Sequence, residues 1–450
     1  MNASEVLVSA VARSGTSAVF GVPGGGSNLD LVGAADRAGL RFVLVHAETA
    51  GAIAAATHGL LTRSVGLAIG TRGPGTTSLT NGAAQATLDR YPLVVATDCV
   101  GAADAERVAH QRLDQGALMR PVTKWSAVLG ADDEARATAE HAVDLARRAP
   151  SGAVHLDIDP TRTSTEPGPV VTQPVDEVPA AAIELARTSD RPIVVAGLGA
   201  LDGAEMVRAE LESIGAPVLT TYQAAGLLPA GHPLWAGLYT SGAIERAVLD
   251  RADLVVTVGL DTVEPMPTPW HGSQPVIALD ATPPASSFVP ATHRVIGPVT
   301  ESLTALARGL GDHRWEADAG RVERERTIEA VRSCSDGSFG PIELVEAVVA
   351  ATPREATTTV DAGAHFLSVM PLWPAAAPHR LLISNGLATM GFALPAAIGA
   401  AIARPGEPIV AMVGDGGLSM TLGELETIAR YRLPITIVLF DDAALSLIEI

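Results

Sequence analysis

The sequence predicts an α/β protein built from three doubly wound parallel sheets. Short apolar runs rich in β-branched residues alternate with helical segments along the chain, and most of these runs end in turns rich in Gly or Asp. The alternation begins again twice, after two connecting segments of different composition. Because parallel strands need crossover helices between them, this order favours parallel sheets. We expect domains at residues 1–165, 183–312 and 339–450.

The first predicted domain carries candidate functional turns after two of its strands. We expect a helix at the N-terminus, a helix over 49–61, and strands over 17–21, 41–45, 65–70 and 93–97. His46-Ala47-Glu48 leads into the helix 49–61, and Gly73-Pro74-Gly75 follows a strand. Two interpretations of Glu48 are open at this point. It is either an ordinary acid in a first helical turn, which the helix dipole favours, or a functional carboxylate.

Two connecting segments bound the central domain. Residues 161–182 are rich in Pro and Thr without periodicity, and residues 313–338 are charged and partly helical. Between them we expect strands over 191–196, 216–221 and 252–258. The first of these strands leads into Gly197-Leu198-Gly199. Gly-x-Gly also occurs in dinucleotide-binding turns, but the full GxGxxG fingerprint is absent here.

The third predicted domain contains the stretch on which the functional hypothesis depends. We expect helices over 341–350 and 393–403, and strands over 357–360, 409–413 and 435–440. Gly414-Asp415-Gly416-Gly417 forms a turn after the strand 409–413. Thr421 and Glu424 then fit a capping box that begins a helix. We expect this helix to bury its apolar residues, which are Leu422, Leu425, Ile428 and Ala429.

Acidic residues follow each of the last two predicted strands. Asp415 comes after the first, and the pair Asp441-Asp442 comes after the second. If these strands are parallel neighbours about 4.8 Å apart, the acids meet at the carboxyl edge of the sheet. Hard oxygen ligands there suit Mg²⁺ completed by phosphate oxygens and water, and the amides of Gly416 and Gly417 are free to hold an anion. The pattern predicts a Mg²⁺-diphosphate site, although Gly-Asp-Gly also occurs in ordinary turns.

Composition excludes several classes of protein. The 450 residues carry a formal net charge of −19 with no basic cluster, which argues against binding nucleic acid or an anionic membrane. Cys99 and Cys334 are far apart, so neither a disulfide framework nor a thiolate metal site is indicated. The N-terminus does not read as a secretory signal, and the longest apolar stretch, 391–403, is too short to cross a bilayer. We expect a soluble, cytoplasmic protein with a small-molecule substrate.

Motifs in all three regions resemble the thiamine diphosphate-dependent superfamily that includes acetolactate synthase, pyruvate oxidase and benzoylformate decarboxylase. In that superfamily, GDG is followed one strand later by Asn or Asn-Asn, and Asp441-Asp442 stands in that place here. The resemblance implies that Asp415, Asp442 and the backbone carbonyl of Ala444 ligate Mg²⁺. The change from Asn to Asp adds negative charge beside the diphosphate, which the metal must offset.

The first domain resembles the pyrimidine-binding domain of the same superfamily. Glu48 stands in an H-x-E-x-A setting, in which the Glu hydrogen-bonds the N1′ atom of the cofactor, so the resemblance implies that Glu48 is catalytic. Pro74 lies in a turn that resembles the superfamily's GPG turn and is expected to contact the cofactor. Residues 110–114 and 122–125 resemble its F-Q-E-x-D and V-T-K-W stretches. Arg72, His110 and Gln111 are then candidate substrate contacts.

The third domain resembles the diphosphate-binding domain. By this resemblance Gly363 and His365 contact the diphosphate, the carbonyl of Ala388 accepts a hydrogen bond from the 4′-amino group, and Met390 holds the thiazolium against the pyrimidine. The alternatives are an ordinary turn histidine and a core methionine. Superfamily members usually continue well beyond the position that corresponds to Ile450, so we expect this domain to be C-terminally incomplete.

The central domain resembles one that holds FAD in some members. Acetolactate synthases carry Arg-Phe-Asp-Asp after its last predicted strand, whereas this chain has Asp-Thr-Val-Glu-Pro-Met over 261–266. We therefore expect no FAD, and this segment offers no counterpart of the Arg that binds the substrate carboxylate in those enzymes.

The resemblance implies a particular activity. We expect thiamine diphosphate- and Mg²⁺-dependent decarboxylation and/or carboligation of a small 2-oxo acid, by a homodimer or dimer of dimers with shared active sites. Two alternatives stay open: a simple 2-oxo acid decarboxylase, and a non-catalytic cofactor-binding or structural relative. The Asp-Asp pair and the early end of the chain favour the second alternative.

Overall fold

The predicted fold class is confirmed. A computed structural model describes residues 2–101, 104, 106–169, 175–266, 268–286, 289–335 and 337–447. Within these residues the strands form three parallel sheets, and helices alternate with the strands along the chain. The same residues pack as two compact units. One contains 1–170, 357–363 and 386–450, and the other contains 171–356 and 364–385.

The first sheet has the strand order β2-β1-β3-β4-β6-β5 and lies in the first unit. Its strands are β1 (Ala18–Gly21), β2 (Arg41–Leu44), β3 (Gly66–Gly70), β4 (Leu93–Asp98), β5 (Trp125–Leu129) and β6 (Ala153–Ile158). Its helices are α1 (Ala3–Arg13), α2 (Ser27–Arg37), α3 (Glu48–Leu61), α4 (Pro74–Leu88), α5 (Gln115–Met119) and α6 (Ala135–Arg147). The predicted elements of this domain are confirmed, with ends that differ by a residue.

The second sheet has the strand order β12-β11-β10-β7-β8-β9 and lies in the second unit. Its strands are β7 (Pro192–Ala196), β8 (Val218–Thr220), β9 (Trp235–Leu238), β10 (Leu254–Val258), β11 (Val276–Asp280) and β12 (His293–Ile296). The helices of this region are α7 (Ala180–Thr188), α8 (Ala204–Ile214), α9 (Arg246–Leu249), α10 (Val299–Leu310) and α11 (Ala319–Arg332). The three strands predicted for the central domain are confirmed as β7, β8 and β10.

The third region supplies elements to each unit. In the first unit, β13 (Thr357–Val360) pairs in parallel with β15 (Ile409–Gly414), and β15 pairs in parallel with β16 (Ile435–Phe440). The helices with them are α14 (Ala393–Ala403), α15 (Asp415–Met420) and α16 (Glu424–Tyr431). The second unit contains α12 (Pro341–Ala351), α13 (Phe366–Leu372) and β14 (Leu381–Ile383). The predicted boundaries 1–165, 183–312 and 339–450 stay predictions. Parts of the two predicted connecting segments, 170–174 and 336, lie outside the described residues.

Helix α3 is the packing centre of the first unit. Every residue from Ala50 to Gly59 is buried, because the helix packs against β3, α4 and α14. A Cβ at Gly399 of α14 would lie 2.2 Å from the backbone oxygen of Ala54, so only glycine permits this approach. The close contact fixes the N-terminus of α3, where Glu48 stands, relative to the third sheet.

The expected helix after Gly417 differs from the prediction. A short helix, α15, begins directly at Asp415. Helix α16 begins only at Glu424, and its N-cap is Gly423, which has no side chain to accept a hydrogen bond. The capping box is therefore wrong. The buried side of α16 carries Glu424 and Thr427.

The predicted burial of the apolar residues of this helix is also wrong. Leu422 precedes α16 and is 56% exposed, Leu425 is 37% exposed, Ala429 is exposed, and Ile428 is only partly buried. The physical reason is that the carboxylate of Glu424 accepts hydrogen bonds from two backbone amides of another segment, which turns the polar side of α16 inward.

Two further predictions concern the whole chain. Among the described residues, no helix is both long enough and apolar enough to cross a bilayer. Cys99 and Cys334 are free thiols, in agreement with the absence of a disulfide framework.

Candidate active site

The ends of β15 and β16 lie side by side, as the sequence predicts. Gly414 and Phe440 are paired at the last position of the two strands, so Asp415 and Asp441 leave the sheet from neighbouring positions. A Cβ at Gly416 would lie 3.3 Å from Cδ2 of Leu445, so the turn after β16 packs against the turn after β15. The carboxyl edge of this sheet therefore gathers the acidic residues at one place.

The donors at this edge suit a hard cation. The predicted ligands are the carboxylates of Asp415 and Asp442 and the backbone carbonyl of Ala444, and all three are oxygen donors. Asp442 Oδ1 accepts a hydrogen bond from the Ala444 amide at 3.1 Å, so the carboxylate of Asp442 is bonded to the backbone of the residue whose carbonyl is the third predicted ligand. The described residues contain no group of three or more His, Cys, Asp or Glu side chains arranged to hold a metal. A metal at this edge would need oxygens from phosphate and water, which is how Mg²⁺ is usually held.

The Gly-rich turn differs in one respect from the prediction. The amide of Gly416 is not free, because it donates to Oδ1 of Asp415 at 2.9 Å. Its neighbour Gly417 is the third residue of α15, where backbone amides have no partner inside the helix. Met390 is brought to the same turn, since a Cβ at Gly416 would lie 3.5 Å from Cε of Met390. The structure thus joins the predicted thiazolium support to the predicted diphosphate turn.

Asp361 is a site residue that the sequence reasoning missed. Its Oδ1 accepts from the amides of Gly391 at 2.8 Å and Phe392 at 3.3 Å, which fixes the backbone directly after Met390. Its Oδ2 is buried without a hydrogen-bond partner among the described residues, and a Cβ at Gly417 would lie 2.6 Å from it. Burial raises the pKa of Asp361 to about 6, against the backbone hydrogen bonds that lower it. A buried acceptor beside the Gly-rich turn fits a bound group that brings a hydrogen-bond donor.

The remaining cofactor candidates of the third domain occupy two units. Ala388 is exposed and has a positive φ of 53°, so this segment presents a left-handed turn before Met390. Gly363 lies at the end of the first unit's 357–363 segment, and His365, which is 5% exposed, is the N-cap of α13 in the second unit. The predicted contacts of Gly363 and His365 with a diphosphate stay predictions.

Glu48 stands at the first position of α3, against the turn that contains Pro74. Its Oε1 would lie 3.2 Å from a Cβ at Gly75, so the carboxyl group rests on the glycine that follows Pro74. The hydroxyl of Thr49 donates to the backbone oxygen of Ser78, which ties α3 to α4 beside it. The structure therefore brings Glu48 and the Gly73-Pro74-Gly75 turn together.

Glu424 is a second residue that the sequence reasoning missed. It is 1% exposed, and its Oε1 accepts from the amides of His46 at 2.9 Å and Ala47 at 3.1 Å. These amides belong to the two residues before Glu48, and the N-cap of α3 makes no side-chain hydrogen bond of its own. Glu424 therefore satisfies backbone donors at the start of the helix that carries Glu48. A negative charge at a helix N-terminus is also favoured by the helix dipole.

Glu424→Ala should destabilise the protein and Glu424→Gln should do so less. The alanine variant leaves the amides of His46 and Ala47 without this acceptor, whereas glutamine keeps one side-chain oxygen. Because both residues are exposed and water can replace part of what is lost, each hydrogen bond removed should cost about 0.5–1.5 kcal/mol. Glu426→Ala is the matched control on the same helix. Glu426 contacts the ring of His46 and Arg430, but it is 52% exposed, and exposed ion pairs contribute about 0–1 kcal/mol. Urea unfolding of the four proteins measures the difference, and equal losses for Glu424→Ala and Glu426→Ala would contradict the assignment.

The three candidate substrate residues lie at one edge of the first sheet. Arg72 is partly exposed, and its Nη1 lies 3.6 Å from Oδ2 of the buried Asp98. A Cβ at Gly73 would lie 2.9 Å from Cβ of Gln111, so the segment with Gln111 packs on the turn after Arg72. His110 is exposed beside Gln111.

A buried glutamine supports this edge and was also missed. Gln115 Oε1 accepts from the amide of Gly73 at 2.8 Å, and its Nε2 donates to Oδ1 of Asp157 at 2.6 Å and to the backbone oxygen of Asp98 at 3.0 Å. Gln115 therefore connects the Gly73-Pro74 turn to β4 and β6. Gln115 directly follows residues 110–114, the stretch that resembles F-Q-E-x-D, and this position is the signal in the sequence by which it could have been found.

The comparisons with known proteins concern the family of the chain. The family models that match are those of the thiamine pyrophosphate enzyme N-terminal TPP binding domain over residues 1–118, the central domain over 179–306, and the C-terminal TPP binding domain over 361–450. The chain belongs to the thiamine pyrophosphate (thiamine diphosphate) enzyme family.

Within that family the chain is similar to acetolactate synthases. It is 28% identical to an acetolactate synthase of Bacillus subtilis (strain 168), over 99% of this chain and 82% of that protein. It is 29% identical to the acetolactate synthase isozyme 2 large subunit of Escherichia coli (strain K12), over 100% of this chain and 84% of that protein. The similarity to this group, expected from the motifs, is confirmed, and the TPP-binding domains support thiamine diphosphate as the cofactor.

Proposed function

We propose that this protein is a cytoplasmic, acetolactate synthase-like enzyme that decarboxylates and/or ligates a small 2-oxo acid with thiamine diphosphate and Mg²⁺. The observation that carries the proposal is the pairing of Gly414 with Phe440, which places Asp415 and Asp441-Asp442 at one sheet edge beside Met390. The similarity to proteins named acetolactate synthase supports the substrate class.

The residues of the chain have distinct roles in this proposal. Thiamine diphosphate, when bound, supplies an electron-accepting ring that allows a 2-oxo acid to lose carbon dioxide. Asp415, Asp442 and the carbonyl of Ala444 would hold Mg²⁺ and, through it, the diphosphate. Glu48 would hold a proton at the N1′ atom of the pyrimidine, which is acid-base work suited to a carboxyl group. Met390 would support the bent cofactor by packing.

Arg72 is the cation that we assign to the carboxylate of the 2-oxo acid. Its guanidinium suits a carboxylate because its donors form a planar fork. The ion pair with the buried Asp98 would keep the side chain at the Gly73-Pro74 turn. The segment 261–266 lacks the Arg of acetolactate synthases, so another basic group is needed for this task.

The second candidate function is that of a non-catalytic cofactor-binding relative. The observation that favours it is Asp442, which stands where the superfamily usually has Asn and adds a negative charge close to a diphosphate. In this case the fold and the cofactor site would be kept without turnover.

Two measurements separate the candidates. Native mass spectrometry of the purified protein should detect thiamine diphosphate and Mg²⁺ bound to the chain. Carbon dioxide release should then be measured with a panel of 2-oxo acids of increasing size, with and without a second carbonyl compound as acceptor. Bound cofactor with no carbon dioxide from any acid would favour the non-catalytic candidate.

Active sites shared between two subunits form part of the proposal. In the resemblance, the pyrimidine end of the cofactor lies on the first domain of one subunit and the diphosphate end on the third domain of another. A mixture of Glu48→Gln and Asp415→Ala subunits should therefore recover up to about one quarter of the parent activity, while each variant alone is inactive. Light scattering should give a homodimer or dimer of dimers. Proven subunit exchange without any recovery of activity would contradict shared sites.

A further inference from the structure

The central sheet has the topology of a dinucleotide-binding domain. Its strand order β12-β11-β10-β7-β8-β9 places the first strand of the domain, β7, between β10 and β8, so the order reverses between β7 and β10. In open parallel sheets, ligands bind outside the carboxyl ends of the strands at such a switch point, with their phosphates on the backbone amides that follow the first strand. The crevice between β7 and β10 is where a dinucleotide would bind in this protein.

A side chain of the protein already fills this crevice. Glu264 is 4% exposed, and its two carboxylate oxygens each lie 3.0 Å from the amide of Leu198, in the turn after β7. Its Oε2 also accepts from the amide of Asp261 at 2.8 Å, in the turn after β10, and its Oε1 accepts from the hydroxyl of Thr221 after β8. One carboxylate thus takes hydrogen bonds from the turns of three neighbouring strands.

The glycines of the crevice leave little further space. A Cβ at Gly197 would lie 2.5 Å from Oε2 of Glu264, and a Cβ at Gly199 would lie 3.0 Å from Cα of Gly259. In the dinucleotide fingerprint, such glycines allow the backbone to approach a pyrophosphate. Here they allow the two turns to approach each other and the carboxylate.

The backbone at Glu264 is also fixed. Nδ2 of Asn385 donates to the carbonyl oxygens of Val263 at 3.2 Å and Glu264 at 3.0 Å. Burial raises the pKa of Glu264 to about 7, against the hydrogen bonds from Thr221, Leu198 and Asp261 that lower it. Above neutral pH the group is therefore an anion held by donors.

We infer that Glu264 is a built-in anion that occupies the dinucleotide site of the central domain, so that this protein binds neither FAD nor another dinucleotide there. Some members of the superfamily hold FAD in this domain, and the residues at the crevice do not fit it here, because the amides that would bind a pyrophosphate are already used by a carboxylate. Glu264 thus excludes nucleoside diphosphates. Without its carboxylate, the amides of Leu198 and Asp261 and the hydroxyl of Thr221 would accept a small oxyanion. The inference concerns the central domain alone and is independent of the proposed activity.

The experiment uses the full chain at pH 8 with saturating thiamine diphosphate and Mg²⁺, so that the diphosphate turn of the third domain is not available to the probes. FAD and ADP are titrated into the parent protein, with flavin fluorescence and calorimetry as readouts. We expect no binding tighter than about 1 mM. Inorganic phosphate is then titrated into Glu264→Ala, which keeps the three donors and removes the carboxylate. Phosphate should bind this variant at least about 10-fold more tightly than the parent.

Two variants are controls. Glu264→Gln keeps the shape of the side chain and an acceptor oxygen, so it should gain no affinity for phosphate, and Glu205→Ala makes the same change in charge at an exposed position of α8. Micromolar binding of FAD or ADP to the parent would overturn the inference. A folded Glu264→Ala that binds phosphate no better than Glu264→Gln would overturn it as well. If Glu264→Ala fails to fold, phosphate is titrated instead into Glu264→Asp, which withdraws the carboxylate by one methylene. The titration of FAD and ADP into the parent protein still decides whether a dinucleotide binds.

Discussion

Asp415→Ala should abolish the binding of thiamine diphosphate at any practical concentration of Mg²⁺. The substitution removes a carboxylate at the edge where β15 and β16 end together, and the segment 415–423 that follows β15 contains no other acid to replace it. Loss of an outer-shell partner alone typically lowers metal affinity by about 10–100-fold, so removal of a ligand should cost more than that. The variant should remain folded, because Asp415 is only partly buried and its side chain bonds the amide of the adjacent Gly416.

Asp442→Asn is the matched control for this prediction. Aspartate and asparagine both present an oxygen to Mg²⁺, and the change removes one negative charge beside the diphosphate, so cofactor affinity should be kept or improved. Calorimetric titration of thiamine diphosphate at fixed Mg²⁺ compares the parent and the two variants. Unchanged affinity in Asp415→Ala would show that the Mg²⁺-diphosphate interpretation is wrong, and the non-catalytic alternative would then be favoured.

The sequence was sufficient to predict the sheet edges of the site because the signals for them are local. The run 409–413 is followed by Gly414-Asp415-Gly416-Gly417 and the run 435–440 begins after Pro434, so both strands were placed within a residue. Their alternation with a helix predicts parallel neighbours. The register that pairs Gly414 with Phe440 is given by the structure. The family resemblance in turn depends on motifs that stand at such strand ends.

The contacts made by Glu424 and Asp361 were beyond sequence reasoning for a different reason. Glu424 accepts a hydrogen bond from the amide of His46, which is 378 residues away in the chain. No local sequence pattern predicts that the N-terminus of α3 is capped by so distant a residue instead of by its own N-cap side chain. Its spacing from Thr421 fits a capping box equally well, and this simpler interpretation was wrong. Hydrophobic periodicity likewise shows which residues of α16 are apolar, but not which side of the helix packs on the rest of the chain.

Asp361 was missed although its place in the sequence resembles that of Asp415. It follows β13 directly, as Asp415 follows β15, and β13 and β15 are paired neighbours. The position of Asp361 directly after a predicted strand was thus a signal in the sequence, and it was not used. Its orientation toward Gly417 and its bonds to the backbone after Met390 depend on packing, and only the structure gives them.

Glu48→Gln should lower the rate of carbon dioxide release by about 10²–10⁴-fold while the fold and the cofactor affinity change little. An amide has the shape of the carboxyl group but cannot exchange a proton at the N1′ atom, so only the acid-base role is removed. The neighbouring contacts remain, because Glu424 bonds the amides of His46 and Ala47 and not the side chain of Glu48.

The measurement for Glu48 combines three readouts. Thermal unfolding and calorimetric titration of thiamine diphosphate test whether the variant is intact, and the rate at saturating 2-oxo acid tests the catalytic role. Glu426→Gln, on the exposed side of α16, is the control for the loss of one negative charge in the same unit, and it should keep the parent rate. If Glu48→Gln stays within a factor of about two of the parent, a change far below the range expected for a lost acid-base group, Glu48 is an ordinary first-turn acid. Because Glu48 rests against Gly75 beside Pro74, the next acid to test would then have to lie near the same turn. Asp98 is such an acid, since its Oδ2 lies 3.6 Å from Nη1 of Arg72, the residue before Gly73.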